Sequence, residues 1–267
     1  MVRSPAVAGQ FYEGSAAGLR SQVERCVEPD APRERVMAVM CPHAGLIYSG
    51  AVAGAVYSRI KSPDTFVLLG PNHTGMGARL SMMDEGSWEI PTVTVEIDEG
   101  LAASIAENFP SVSRDSLAHR YEHSLEVQLP FIARFAPEAR IVPIAVMQSS
   151  AEELIGFGEA IARAVKHAGY PVVVVASSDM SHFVPDAVAR EKDRRAIDRV
   201  LALDPRGLYT TVGEYNISMC GFMPVTIMLS YALAMGAVEA KLIKYATSAE
   251  VSGDYDSVVG YAGVIIK

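Results

Sequence analysis

The chain has 267 residues, is 50% hydrophobic and 20% charged, and carries a formal net charge of -8. This composition excludes intrinsic disorder, which needs low hydrophobicity with high net charge, and the acidic balance lacks the basic footprint of a nucleic-acid binder. No run of about 20 uninterrupted apolar residues occurs, because Pro224, Thr226 and Ser230 break the longest one, Gly221 to Val238, so no membrane span is expected.

The pattern alternates short β-branched runs with Ala- and Leu-rich stretches. In chain order it predicts a strand over Val36–Cys41, a helix over Ser49–Ile60 and a strand over Thr65–Leu69. Two weaker strands, Ala78–Met83 and Thr92–Ile97, and a helix over Asp98–Asn108 follow. Next come a helix over His123–Phe135, a strand over Ala139–Val146, a helix over Ala151–His167 and a strand over Val172–Ala176. Helices over Pro185–Ala202 and Phe222–Met235 precede two closing strands, Ala240–Ala246 and Val258–Ile266. Runs such as VVVVA are apolar at every position, which marks strands covered on both faces. Strand–helix alternation with such strands predicts an α/β fold: one domain over residues 1–267, a three-layer αβα sandwich with a mixed, largely parallel sheet. Gly70–Ser87 and Val251–Ser257 are expected to be loops. The N-terminus lacks the apolar segment of a secretory signal, and three cysteines make no disulfide framework, so a cytoplasmic protein with reduced thiols is expected.

In open α/β sheets, ligands sit beyond the carboxyl ends of the strands. Val36–Cys41 runs into Pro42-His43-Ala44-Gly45, Thr65–Leu69 into Gly70-Pro71-Asn72-His73, and Val172–Ala176 into Ser177-Ser178-Asp179-Met180-Ser181-His182. Three of the six histidines thus follow three separate strands. Neutral imidazoles delivered by a rigid scaffold suit a metal ion. Cys220, just before the apolar helix that opens near Pro224, is a candidate fourth member. A thiol near a helix N-terminus has a lowered pKa, and its thiolate is both ligand and nucleophile. A small buried hydrophobe is the equally weighted reading of Cys220. Cys41, in a strand, and Cys26, read as helical, are expected to be structural.

Two further chemistries compete. His119-Arg120-Tyr121-Glu122-His123 matches the H-x-x-E-H pattern of a metalloprotease class, with both histidines on one helix face and Glu122 as base. Cys220 with His182 or His43 as base would make a nucleophilic hydrolase or transferase. The Gly70–Gly77 loop lacks the Lys that a P-loop requires, which argues against a nucleotide. Of the aromatic residues Phe11, Tyr12, Tyr48 and Trp88, only Tyr48, which closes the PHAGLIYSG loop, is expected to line a pocket.

Several ordered motifs together resemble the Memo family (mediator of cell motility). They are RSPAVAGQFY at Arg3–Tyr12, PHAGLIYSG at Pro42–Gly50, GPNH at Gly70–His73, EHSLEVQLP at Glu122–Pro130, SSDMSH at Ser177–His182, MCG at Met219–Gly221 and TSAEVSGD at Thr247–Asp254. The resemblance implies a fold like that of class III extradiol dioxygenases, in which two His and one Glu hold iron and another His is the acid/base. In Memo-like proteins Cys replaces the Glu. Carried over by position, His43, His73 and Cys220 would hold metal, and His182 would be the acid/base. Asp179 and His123 would line or orient the site, with Asn72 and Tyr48 in the pocket. His119 falls in no family motif. A thiolate favours softer metals than a carboxylate does, so Fe(II) or Cu(I) is expected, with Zn(II) compatible. The resemblance therefore implies a metal-binding, dioxygenase-like redox protein, or alternatively a non-catalytic peptide- or metal-binding adaptor on the same scaffold. It also implies a small-molecule or peptide partner and a functional link to an AMMECR1-like protein and a radical SAM protein.

Overall fold

The computed structural model describes residues 1–267. Its central sheet has four parallel neighbours in the order Ala38–Cys41, Val172–Ser177, Thr65–Pro71, Arg140–Val146. Antiparallel Leu80–Met82 extends one side. On the other, Val258–Ile266 runs antiparallel to Ala38–Cys41 and is paired on its far edge by Ala240–Thr247. His182–Val184 joins Val258–Ile266 further along. A small second sheet pairs Val2–Arg3, Ser87–Ile90 and Val93–Glu96.

Alternate residues of each parallel strand enter opposite cores. Ala38, Met40, Val67, Leu69, Val174 and Ala176 pack with the helices Ala151–Ala168 and Phe222–Met235. Val39, Cys41, Phe66, Leu68, Val173 and Val175 pack with Ala16–Glu24, Leu46–Tyr57 and Leu129–Phe135. A strand apolar on both pleat faces needs helices on both sides, so the expected αβα sandwich with a mixed sheet is what forms. No helix is long and apolar enough to cross a membrane.

The expected elements shift where caps decide. The helix expected over Ser49–Ile60 spans Leu46–Tyr57, starting directly after Gly45. His123–Phe135 is not one helix: a 3-10 turn, Glu126–Gln128, leads into Leu129–Phe135. Pro130 sits in the first α-turn, where its missing N–H costs nothing, while His123–Leu125 stay irregular. Helices Ala16–Glu24 and Pro205–Glu214 and the strand Ser87–Ile90 are additions to the sequence reading. Both helices carried a cap signal, since Ser15 accepts from the Gly18 N–H and Asp204 from the Gly207 N–H. Cys26 lies past the end of the first of them, not within a helix.

Candidate metal centre

Strand register builds the site. Cys41 is level with Ser177, and Leu69 with Ala176. The loops after these three adjacent strands therefore leave the sheet side by side, about 4.8 Å apart. Against them lies the irregular Glu122–Leu125 segment. Gly70 makes that approach feasible, because a Cβ there would lie 2.6 Å from Leu125 Cδ2 and 2.7 Å from Ser124 Oγ. His43, His73 and His123 each place a ring nitrogen within 4.8 Å of the others. The His73 and His123 rings stack with centroids 4.7 Å apart, and His43 stands edge-on to both.

Hydrogen bonds determine which nitrogens are free. Pro42 O can only accept, so the amide nitrogen of Gln128 faces it at 3.0 Å and also donates to Ser177 Oγ at 2.8 Å. Ser177 Oγ gives its own proton to Ser124 O at 2.6 Å. Its remaining capacity is to accept, so His43 Nδ1–H donates to it at 2.9 Å. The His43 Nε2 lone pair is left facing the cluster. His73 is set the same way: Nδ1–H donates to Glu122 Oε1 at 2.9 Å. Glu122 is fully buried. Although burial opposes it, hydrogen bonding to and the charge of His73 hold the Glu122 carboxyl down at about 2. Burial, with His123 and His73 alongside, pushes the His43 pKa well below its usual value, and burial lowers that of His123 too. A neutral imidazole with its tautomer fixed, as at His43, is the state a metal ion requires.

Cys220 Sγ lies 3.3 Å from His43 Nε2 and accepts from the Asp179 N–H at 3.3 Å. Two donors of one ion at about 2.0 and 2.3 Å stand roughly this far apart. Gly221 sets the thiol here, since a Cβ would collide with Ser177 O. Contrary to the lowered pKa expected beside a helix N-terminus, burial and then the Asp179 charge push the thiol pKa up. Asp179 Oδ1 accepts the N–H groups of His43 and Ala44 at 2.8 and 3.3 Å, which shapes the His43 turn. His182 Nδ1–H donates to Ser218 O at 2.9 Å and leaves Nε2 free.

A cleft of about 460 Å³ opens beside the cluster, with His123, Asp179, His182, Tyr48 and Phe11 in its wall. Phe11 packs on the His123 ring at 4.6 Å. Asn72, expected in the pocket, is engaged in its own loop: its side chain donates to Met76 O at 2.7 Å and accepts from the Thr74 and Gly75 N–H groups. Trp88 and Tyr12 are buried packing residues. Ser177, Gln128 and Ser218 were not read as parts of a metal site, and Glu122 was read only as the base of the protease pattern. Glu122 and Gln128 stand in the EHSLEVQLP motif and Ser177 opens SSDMSH, whereas Ser218 lies in none of the motifs.

The H-x-x-E-H protease arrangement does not form. His119 ends a separate 3-10 turn and is buried against Trp88, with Nε2 3.2 Å from Ser81 O and Nδ1 unpartnered. Burial and the nearby Arg3 charge lower its pKa to about 4. The unfolded chain, with His near 6.5, binds the extra proton first, so stability is lost as pH falls from about 6.5 toward 4. Urea unfolding of metal-free protein at pH 7 and pH 5 is expected to show that loss, and His119→Gln should remove about 2 kcal/mol of it. An unchanged pH slope in the variant would refute the assignment.

The Memo-like protein family matches residues 3–265. A MEMO1 family protein of Methanothermobacter thermautotrophicus is 42% identical over 274 residues, covering 98% of this chain and 99% of that protein. One of Methanosarcina barkeri is 42% identical over 268 residues and covers 100% of both. Among solved structures, an uncharacterized protein from Escherichia coli K12 shares the fold, with a TM-score of 0.59 at 14% identity, over 86% of this chain and 100% of that one. With matching motifs spread over nearly its full length, the chain belongs to the Memo family.

Proposed function

We propose that this protein holds a transition metal ion, Fe(II) or Cu(I), through His43, His73 and Cys220, and that the loaded site carries out redox chemistry on a ligand in the adjoining cleft. The observation that supports it is the convergence of two imidazoles, each with Nδ1 committed and Nε2 free, and a thiol 3.3 Å from one of them. The donor set fits: imidazole suits iron, copper and zinc, and a thiolate shifts preference toward softer ions. A bound iron or copper ion would supply one-electron chemistry, whereas Zn(II), which the same donors accept, would supply only Lewis acidity.

The chain's own groups divide the remaining work. Glu122 and the Gln128–Ser177 relay orient the imidazoles. His123 closes the third side of the cluster, with Phe11 packed on its ring. Asp179 holds the His43 turn. His182, anchored through Nδ1, can hold or release a proton at Nε2 toward the cleft it lines, which is the geometry of a general acid/base.

Protein expressed with iron and copper supplied and purified without oxygen is expected to carry about one metal ion per chain by elemental analysis. His43→Ala and Cys220→Ala are expected to lose it while keeping their melting transition. Wild-type protein without stoichiometric metal would overturn the proposal.

A further inference from the structure

The cleft beside the cluster is large enough for a small molecule, at about 460 Å³. Its wall holds the carboxylates of Asp179 and Asp254 but no Lys or Arg. His123 and His182 also line it, and Asp179 is spent on the His43 and Ala44 N–H groups, so a carboxylate or phosphate ligand would meet the Asp254 charge with no permanently cationic side chain to offset it.

Phe183 supplies the second observation. It is 78% exposed and adopts φ +57, a left-handed conformation that a bulky residue rarely takes. Its ring gains little from packing there, so burial does not explain the strain. The cause is local: the ladder between His182–Val184 and Val258–Ile266 shifts register at this residue, and Ser218 ties down His182 on its N-terminal side. Such bulges re-aim side chains beside functional sites, and this one sets an aromatic ring at the cleft wall. Tyr261 is the third observation. It is 1% exposed and lines the same cleft, and its hydroxyl has no protein partner, so a polar group is left for a ligand.

We infer that this cleft takes a small aromatic ammonium compound, its cationic head beside Asp254 and its flat body against the rings of Phe183, Tyr48 and Phe11. Aromatic faces and a carboxylate both attract an ammonium group. The inference rests on the metal-site reading only for the cleft's being the functional one.

Tyramine and 4-hydroxyphenylacetate share a ring and nearly a length but carry opposite charges. Calorimetric titration uses the full chain stripped of metal, so that the acid gains nothing by coordination, and is repeated on protein as purified. Tyramine is expected to bind about tenfold more tightly than the acid in both. Asp254→Asn should shrink that preference to about threefold or less. Phe183→Gly should weaken tyramine about five- to tenfold while raising the melting temperature, because Gly relieves the left-handed strain. Equal or tighter binding of the acid by metal-free protein, an unchanged preference in Asp254→Asn, or undiminished affinity in Phe183→Gly would each overturn the inference. Metal content of the same preparations separates the two readings: protein that loads metal yet prefers the acid refutes this inference alone, and protein that prefers tyramine without loading metal refutes the metal reading alone.

Discussion

Glu126→Ala is expected to lower the unfolding free energy by about 3–5 kcal/mol, among the largest losses any single substitution in this chain should cause. Glu126 is fully buried and serves four donors. It pairs with Arg3 at 2.6 Å, accepts the Ala6 and Val7 N–H groups at 2.8 and 3.1 Å, and accepts the Tyr12 hydroxyl. Arg3 in turn donates to His119 O and Glu122 O, each at 2.7 Å, and lies over the Trp88 ring at 4.1 Å. Removing the carboxylate strands a buried guanidinium and three further donors, and a buried charge without its partner costs far more than the pair contributed. The N-terminal segment would detach from the stretch that carries Glu122 and His123. A fall in melting temperature of roughly 10 °C or more is expected, with Glu126→Gln intermediate because its amide oxygen still accepts. A loss below about 1 kcal/mol would show that the clamp is dispensable.

Glu122→Gln is expected to weaken metal binding about 10- to 100-fold and to lower the melting temperature as well, since the buried carboxylate it replaces accepts three N–H groups. The carboxylate does two things that a neutral amide does poorly. It accepts the His73 Nδ1–H at 2.9 Å and so keeps the Nε2 lone pair toward the cluster, and its negative charge raises the basicity of that ring. It also accepts the N–H groups of His73 and Ser124, which holds the loop against the sheet edge. Because its pKa is held at about 2, below that of an ordinary glutamate, the carboxylate stays charged across the neutral and mildly acidic range. Competition with a chromophoric chelator, using Zn(II) as a redox-silent probe, measures the affinity directly. An unchanged affinity would mean that His73 is not a ligand.

The central sheet was legible in the sequence because its strands are apolar on both pleat faces, a demand that a two-sided helical cover imposes residue by residue. The loops bearing His43, His73 and His182 were legible for the same reason, since they follow strands whose ends are unambiguous. The Pro205–Glu214 helix was not, because Gly207, Gly213 and adjacent threonines dilute its propensity and only Asp204-Pro205 marks its start. The 123–135 segment misled because its apolar spacing is helical, while Pro130 and the buried side-chain bonds of Glu122 and Glu126 delay the α-helix to Leu129.

The amino-acid sequence alone determined the layer architecture, the family motifs and the loops that deliver imidazoles. Only the tertiary structure decided that His123 stands beside His43 and His73, which nitrogen of each ring is free, and that the Cys220 thiol lies 3.3 Å from His43 Nε2. These depend on partners far apart in the chain: His43 and Ser177 are 134 residues apart, His73 and Glu122 are 49 apart. Strand register, not local pattern, brings them within hydrogen-bond distance, where burial lowers the pKa of His43 and His73 holds down that of Glu122 against burial.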